Sequence, residues 1–333
     1  MSQPLISVEK LSKSFRIAKR ESGLWGAVRG VVRRQYYTIA ALDEASFAVQ
    51  PGELVGYIGP NGAGKSTTVK ILSGILVPDS GDCKVLGKTP WLHRVETVQK
   101  IGVVFGQRTQ LWWDLPVLDS FELLREIYRI TPQDYKKMLA DLVDVLNLSK
   151  LLDVPVRQLS LGQRMRCELA AALLHSPRIL FLDEPTIGLD AVSKLAVRDF
   201  IRGLNRKNEM TIMLTTHDMD DVETLCSRVI VIGDGRLLFD GKLIDLRAKV
   251  SSERRLIVDL VDPEDHVEDE KTKFISRDGG RVTLAFNPEK TSAADLIGRV
   301  TARSQVRDLF VENPPIEEII AQLYADLGAN ALE

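Results

Sequence analysis

No run of apolar residues in this chain approaches the roughly 18 that a membrane span requires. A spanning helix is therefore not expected, and any work at a membrane needs a partner. The N-terminal stretch MSQPLISVEKLSK lacks the apolar core of a secretory signal, so the chain is expected to stay in the cytoplasm. Cysteine is scarce. Cys83, Cys167 and Cys226 are scattered with no CxxC pair, which argues against a metal site or a disulfide framework and for reduced, packed thiols. Excess charge of either sign is missing too. A formal net charge of −2 supplies no global basic field, so no nucleic-acid partner is expected. What is present is ordinary globular composition, 44% hydrophobic and 27% charged over 333 residues, enough to bury a sizeable core in one large or two unequal domains.

Residues Ile6 to Leu11 and Ser46 to Val49 read as strands. Pro51-Gly52 makes a turn, and Leu54 to Ile58 is a short apolar run ending in the glycine-rich stretch Gly59 to Gly64. Helical spacing resumes at Ser66, and strand, glycine loop, helix is the setting a phosphate-binding loop requires. An insertion, Ile17 to Ala40, interrupts this region. Within it Leu24, Trp25, Val28, Val31 and Val32 share one helical face, with Arg29, Arg33 and Arg34 off that face. This describes an amphipathic helix, packed on its own domain or laid against a membrane surface or permease. From about Leu115 to Leu159 the chain reads as helices, with starts at Asp119/Glu122 and at Thr131-Pro132 with Asp134. Strand runs at Ile179 to Leu182, Thr211 to Thr215 and Val229 to Ile232 then alternate with helical patterns at Ser160 to His175 and Ala191 to Lys207. Alternation of this kind predicts an α/β sheet with a parallel core. Near residue 250 the texture changes. An acidic loop, Asp262 to Glu270, lies between strands at Arg255 to Val261 and Arg281 to Phe286, and helices follow from about Ser292 and Ile316. The expected organisation is a domain over 1–250 with a helical subdomain at about 108–176, and a small α+β domain over 251–333.

Three motifs carry chemistry. Gly59-Pro60-Asn61-Gly62-Ala63-Gly64-Lys65-Ser66-Thr67 fits G-x-x-x-x-G-K-[ST]. Its glycines let backbone N–H groups close on phosphate oxygens while the following helix points its positive end at them. Lys65 would reach the β- and γ-phosphates, and Ser66 would hold Mg²⁺. Four apolar residues, Ile179 to Leu182, deliver Asp183 and Glu184 at a strand's C-terminal end, the edge where open α/β sheets bind nucleotides. Asp183 would serve the Mg²⁺ shell, and Glu184 would polarise the attacking water. In Leu159-Ser160-Leu161-Gly162-Gln163-Arg164, Ser160 and Gln163 form a capping box. Gly162 costs helix stability and so implies a close approach to the backbone, for which an anion at the helix N-terminus would serve.

These motifs and their order resemble the ABC-transporter nucleotide-binding domain, over residues 1 to about 245. They match its Walker A, Walker B and signature sequences, with Leu161 departing from the usual LSGGQ. The resemblance implies a P-loop NTPase ABC ATPase fold, with mixed sheet and helical subdomain, that uses ATP and Mg²⁺. It also implies roles for Gln107 as the Q-loop residue that senses Mg²⁺ and the permease, Asp190 as the D-loop residue, and His217 as the switch histidine at the γ-phosphate. Phe15 is implied as the aromatic stacked on adenine, with Tyr36 or Tyr37 as alternatives. The family pairs two such domains head to tail, each ATP lying between the Walker A of one and the signature of the other. The second domain would be another copy of this chain or a homologous ATPase subunit. The whole pattern is similar to ATPase subunits of ABC-2 type exporters, and the run from Val103 to Pro116, with Trp112-Trp113, to a subfamily associated with viologen and drug export. That similarity implies integral-membrane permease partners and a place on the cytoplasmic face of the cell membrane. A soluble ABC ATPase of DNA repair or translation is the competing class. Repair types carry a long coiled coil between the Walker motifs, and none of its heptads lie between Lys65 and Asp183.

Overall fold

A computed structural model describes residues 3–18, 36–106, 108–208, 210–250 and 253–330. It divides into two compact units, 1–241 and 242–333. The first unit holds two sheets. A three-stranded antiparallel sheet, in the order β2-β1-β4, is made of β1 (Ile6–Ala18), β2 (Tyr36–Val49) and β4 (Ser80–Val85). A six-stranded sheet follows the order β5-β6-β7-β3-β8-β9. Its strands are β3 (Leu54–Ile58), β5 (Ile101–Phe105), β6 (Ile179–Asp183), β7 (Thr211–Thr216), β8 (Arg228–Gly233) and β9 (Arg236–Lys242). From β5 to β8 every pairing is parallel, in line with the expected parallel core. β3, β6 and β7 are buried throughout, as parallel strands covered on both faces must be. Helix α1 (Lys65–Leu72) shares one core with both sheets: Val69, Ile71 and Leu72 pack with Ile6, Leu42, Tyr57 and Phe181.

The β1–β2 ribbon is longer than the sequence reading. Phe15 pairs with Ile39 and Ile17 with Tyr37, so both ends of the 17–40 insertion are strand. Aromatic and β-branched residues at 15, 17 and 36–39 favour that conformation. The helical face from Leu24 to Val32 lies outside the described residues, as does Gln107.

Helix α2 (Arg94–Val98) precedes β5, and between β5 and β6 lie α3 (Val117–Tyr128), α4 (Pro132–Val145), the 3₁₀ turn Val156–Gln158 and α5 (Leu161–Leu173). Thr131 caps α4 by accepting from the Asp134 N–H, as its sequence predicts. The start expected at Asp119 is corrected to Val117, with Pro116 rather than a capping side chain preceding it. Helix α6 (Ala191–Asn208) connects β6 to β7, and α7 (Met219–Leu225) connects β7 to β8.

The second unit begins with α8 (Leu243–Val250), where the sequence reading set the change of texture at about 250. Its antiparallel sheet runs β11-β12-β10-β13, from β10 (Arg254–Leu260), β11 (Thr272–Asp278), β12 (Arg281–Phe286) and β13 (Val306–Glu312). Alternate residues Leu256, Val258 and Leu260 with Val282, Leu284 and Phe286 face α9 (Ala293–Arg303) through Leu296 and Val300. Helix α10 (Ile316–Asn330) completes the unit. Among the described residues no helix is long and apolar enough to cross a membrane.

Candidate active site

The C-terminal ends of β6, β7 and β3 are adjacent in the sheet, and the chain leaves each of them carrying a motif. After β3 comes the Gly59–Gly64 loop, whose last residue adopts φ 106° at the N-cap of α1, a conformation glycine takes without a Cβ penalty. After β6 come Asp183 and Glu184, and after β7 comes His217. The result is a cleft of about 470 Å³ lined by Asn61, Ser66, Asp183, Glu184 and His217, among others.

Lys65 is 5% exposed. Its Nζ donates to the carbonyls of Gly59 at 2.7 Å and Pro60 at 3.0 Å, and lies 4.0 Å from Glu184 Oε1. Burial pulls this ammonium below its usual range, with the Glu184 and Asp183 carboxylates opposing. The Ser66 hydroxyl donates to Asp183 Oδ1 at 3.1 Å, and the Thr215 hydroxyl donates to the same oxygen at 2.5 Å. Two oxygens of a small divalent cation's octahedral shell, each about 2.0–2.1 Å from the metal, lie about 2.9 Å apart. The Ser66–Asp183 pair therefore fits Mg²⁺ in both donor type and spacing. Elsewhere, among the described residues, no cluster of three His, Cys, Asp or Glu is placed to hold a metal. The cysteines are buried and free, with burial pushing the thiols of Cys83 and Cys167 up to about 12.

Glu184 has φ 56°, the left-handed region, and its N–H donates to the Thr215 carbonyl at 2.9 Å. Gly106 donates to the Asp183 carbonyl at 2.7 Å and sits so close that a Cβ on it would lie 2.2 Å from the Glu184 carbonyl oxygen. Glu184 Oε1 meets His217 Nδ1 at 3.1 Å. The carboxylate candidate and the histidine candidate are thus in hydrogen-bond contact, beside the lysine and the Ser66–Asp183 oxygens.

Other candidates lie off this cleft. Ser160 and Gln163 form the expected capping box at the start of α5, each side chain engaging the other's backbone N–H. The close approach that Gly162 implied has a source within the chain. A Cβ there would lie 2.4 Å from the Ser193 hydroxyl oxygen. Asp190 accepts from the Ser193 N–H at 2.9 Å and hydroxyl at 2.8 Å, which holds its carboxyl below the usual range. Phe15, Tyr36 and Tyr37 sit on the β1–β2 ribbon, with Tyr36 and Tyr37 exposed and Phe15 half-buried. Lys70 and Arg108 line the cleft although no motif selects them. Glu168 also escaped the sequence reading. It is 3% exposed, accepts from the Thr109 hydroxyl and the Gln110 N–H, and is pushed up by burial. It ties the segment just past Gln107 to α5. Its sequence signal, a lone glutamate in an alanine-rich helix, is indistinguishable from a surface charge.

The family model described as "ABC transporter" matches residues 42–187. ABC transporter ATP-binding protein NatA of Bacillus subtilis is 33% identical over 215 residues, 65% of this chain and 87% of that protein. Nod factor export ATP-binding protein I of Ralstonia nicotianae is 35% identical over 211 residues, 63% of this chain. The alignment spans 65% of that relative's length, and only 24% of ABC transporter A family member 1 of Dictyostelium discoideum. Among solved structures, a post-hydrolysis dimer of the ATP-binding cassette MJ0796 bound to ADP and Pi superposes with TM-score 0.59 at 26% identity, covering 72% of this chain and 98% of that one. With a phosphate loop, a paired carboxylate and a histidine converging on one sheet edge, and these relatives in agreement, the chain belongs to the ABC transporter ATP-binding proteins, its first unit carrying their ATP-hydrolysing domain.

Proposed function

We propose that this chain is the ATP-hydrolysing subunit of an exporter whose membrane-spanning permeases are separate chains. The observation that carries the catalytic part is the meeting of Glu184 Oε1 with His217 Nδ1 at 3.1 Å, beside Lys65 and the Ser66–Asp183 pair. In this reading the Gly59–Gly64 amides, Lys65 and Thr67 hold the β- and γ-phosphates. Ser66, Asp183 and Gln107 hold Mg²⁺, which when bound neutralises charge developing on the phosphate oxygens. Glu184 accepts a proton from water as the water oxygen bonds to the γ-phosphorus and the bond to the bridging oxygen breaks, giving ADP and phosphate. His217 orients Glu184 and approaches the γ-phosphate, and Phe15 stacks on adenine. Ser160, Gly162, Gln163 and Asp190 act across the interface of a head-to-tail pair of copies. Both half-sites are chemically complete in one sequence, so a homodimer suffices. ATP closes the pair and hydrolysis reopens it, a switch driven by the γ-phosphate.

Export is supported by the names of relatives, which include Nod factor export, linearmycin resistance and probable multidrug transport proteins. Permease docking at the cytoplasmic face of the membrane is supported by Trp112 and Trp113. They are 39% and 49% exposed, just past the cleft-lining Arg108, where aromatic anchors suit a partner helix. Replacing both by Ala should leave the melting temperature within a few degrees and abolish co-purification with the permease. An intact complex would refute the docking face. For catalysis, Glu184→Gln should bind ATP, lose turnover and accumulate as an ATP-bound dimer. Hydrolysis at the parent rate would remove Glu184 from the role of base.

A further inference from the structure

Two segments that border the cleft and the helix that follows Asp190 meet at one buried carboxylate that the catalytic reading does not use. Asp221, on α7, has no exposed surface. Its Oδ1 accepts from Arg198 Nε at 2.5 Å, and Arg198, on α6, is itself 8% exposed. Its Oδ2 accepts from the Thr186 hydroxyl and, at 3.4 Å, from the Thr216 hydroxyl. Thr186 lies two residues past Glu184, Thr216 immediately precedes His217, and α6 begins directly after Asp190. A second carboxylate reinforces the junction. Asp218 accepts from Lys194 at 2.5 Å and from Arg198 at 3.4 Å, and its N–H donates to the Thr216 hydroxyl at 2.9 Å.

The arrangement is expensive for what it adds to stability. Taking a guanidinium and a carboxylate out of water costs roughly what their attraction returns, and well-packed apolar residues of similar volume hold a fold together as well or better. What a fully hydrogen-bonded buried pair does supply is a single geometry. Here that geometry is shared by the segment carrying Glu184, the segment carrying His217 and the helix that follows Asp190.

We infer that Asp221, held by Arg198, is a positioning residue: through Thr186 and Thr216 it sets the placement of Glu184 and His217 relative to each other and to α6. The inference rests on the roles proposed for Glu184 and His217. Asp221 has no exposed surface and acts only through the two threonines.

The test uses the full chain with Mg²⁺ and ATP. Thr186→Val removes the hydroxyl that reaches Asp221 while leaving the Arg198–Asp221 pair intact, and Thr186→Ser restores that hydroxyl. The expected result is a kcat about tenfold lower for Thr186→Val, the scale of a sub-ångström misplacement of a reacting group. The ATP KM should stay within about twofold and the melting temperature within a few degrees, with Thr186→Ser returning kcat to near the parent value. Asp221→Asn, which keeps shape and removes charge, should lower kcat with the same unchanged KM. If that variant fails to fold, the Thr186 pair decides alone. Turnover of Thr186→Val at the parent rate, a loss that Thr186→Ser does not repair, or a loss carried by KM would each overturn the inference. Glu184→Gln run in parallel separates the two readings. Parent-rate hydrolysis in that variant removes the base assignment itself, whereas an inactive Glu184→Gln beside a fully active Thr186→Val removes only the positioning role.

Discussion

Substituting alanine for Gly106 places the sharpest demand on the site geometry. The new Cβ would stand 2.2 Å from the Glu184 carbonyl oxygen and 3.0 Å from Ile187 Cγ2. An ordinary carbon–oxygen contact is about 3.4 Å, so something must move by about 1 Å. Neither neighbour is free to do so alone. Gly106 is pinned to the Asp183 carbonyl at 2.7 Å, and Glu184 to the Thr215 carbonyl at 2.9 Å, while Glu184 already occupies the left-handed region at φ 56°. The displacement is therefore passed to Glu184, and a misplacement of about 1 Å at a reacting group costs about 10²-fold in rate. That corresponds to about 2.7 kcal/mol in the activation barrier. Stability should fall by about 1–3 kcal/mol from overpacking. Nucleotide affinity, which depends on the Gly59–Gly64 loop and Lys65, should hold. Phosphate release under saturating Mg²⁺-ATP gives kcat, and titration with a fluorescent nucleotide gives affinity. A folded Gly106→Ala protein with kcat within threefold of the parent, or one whose whole loss lies in affinity, would refute the reasoning.

Two further outcomes separate structural from chemical roles. Ser160→Ala removes a capping box and should cost about 1 kcal/mol, read in denaturant melts. Ser160→Asn keeps the cap and should melt like the parent, yet hydrolyse ATP more slowly if Ser160 also meets the nucleotide of the other copy; unchanged turnover would confine Ser160 to capping. In the second unit Arg299 holds Asp269 through two bonds, at 2.6 and 3.1 Å, and keeps that carboxyl below the usual range. A depressed carboxylate contributes stability that is present above its unfolded pKa and lost as pH falls through the folded value. Asp269→Asn should therefore cost roughly 1–2 kcal/mol at pH 7 and almost nothing once the pH is below the carboxylate range. An equal cost at both ends of a melting series in pH would contradict the ion-pair account.

Legibility in the sequence followed locality. β3, β6 and β7 were readable because strands buried on both faces are continuous apolar runs. The caps at Thr131 and Ser160 were readable because a cap spans only four residues. β11 escaped because six of its seven residues are exposed and no alternation marks it; its pairing with β12 defines it. The extension of β1 and β2 toward residues 18 and 36 escaped for a related reason. Its support is the opposite strand, and most of its side chains face solvent. Gly162 could be recognised as a position of close approach, but not that Ser193 was the group approaching.

What the sequence determined by itself is the chemistry on offer: a phosphate loop opening a helix, two carboxylates ending a buried strand, and a capping box carrying a glycine. Each is a contiguous stretch whose backbone geometry follows from its own residue types. Tertiary structure decided which of these groups meet. Lys65 comes within 4.0 Å of Glu184, His217 Nδ1 reaches the same carboxylate, Gly106 closes on the Glu184 carbonyl, and Asp221 gathers Thr186, Thr216 and Arg198. All of these contacts depend on β5, β6, β7 and β3 being successive neighbours in the sheet. Strand order is set by how whole helices and strands pack, and it leaves no mark on any one segment of the chain.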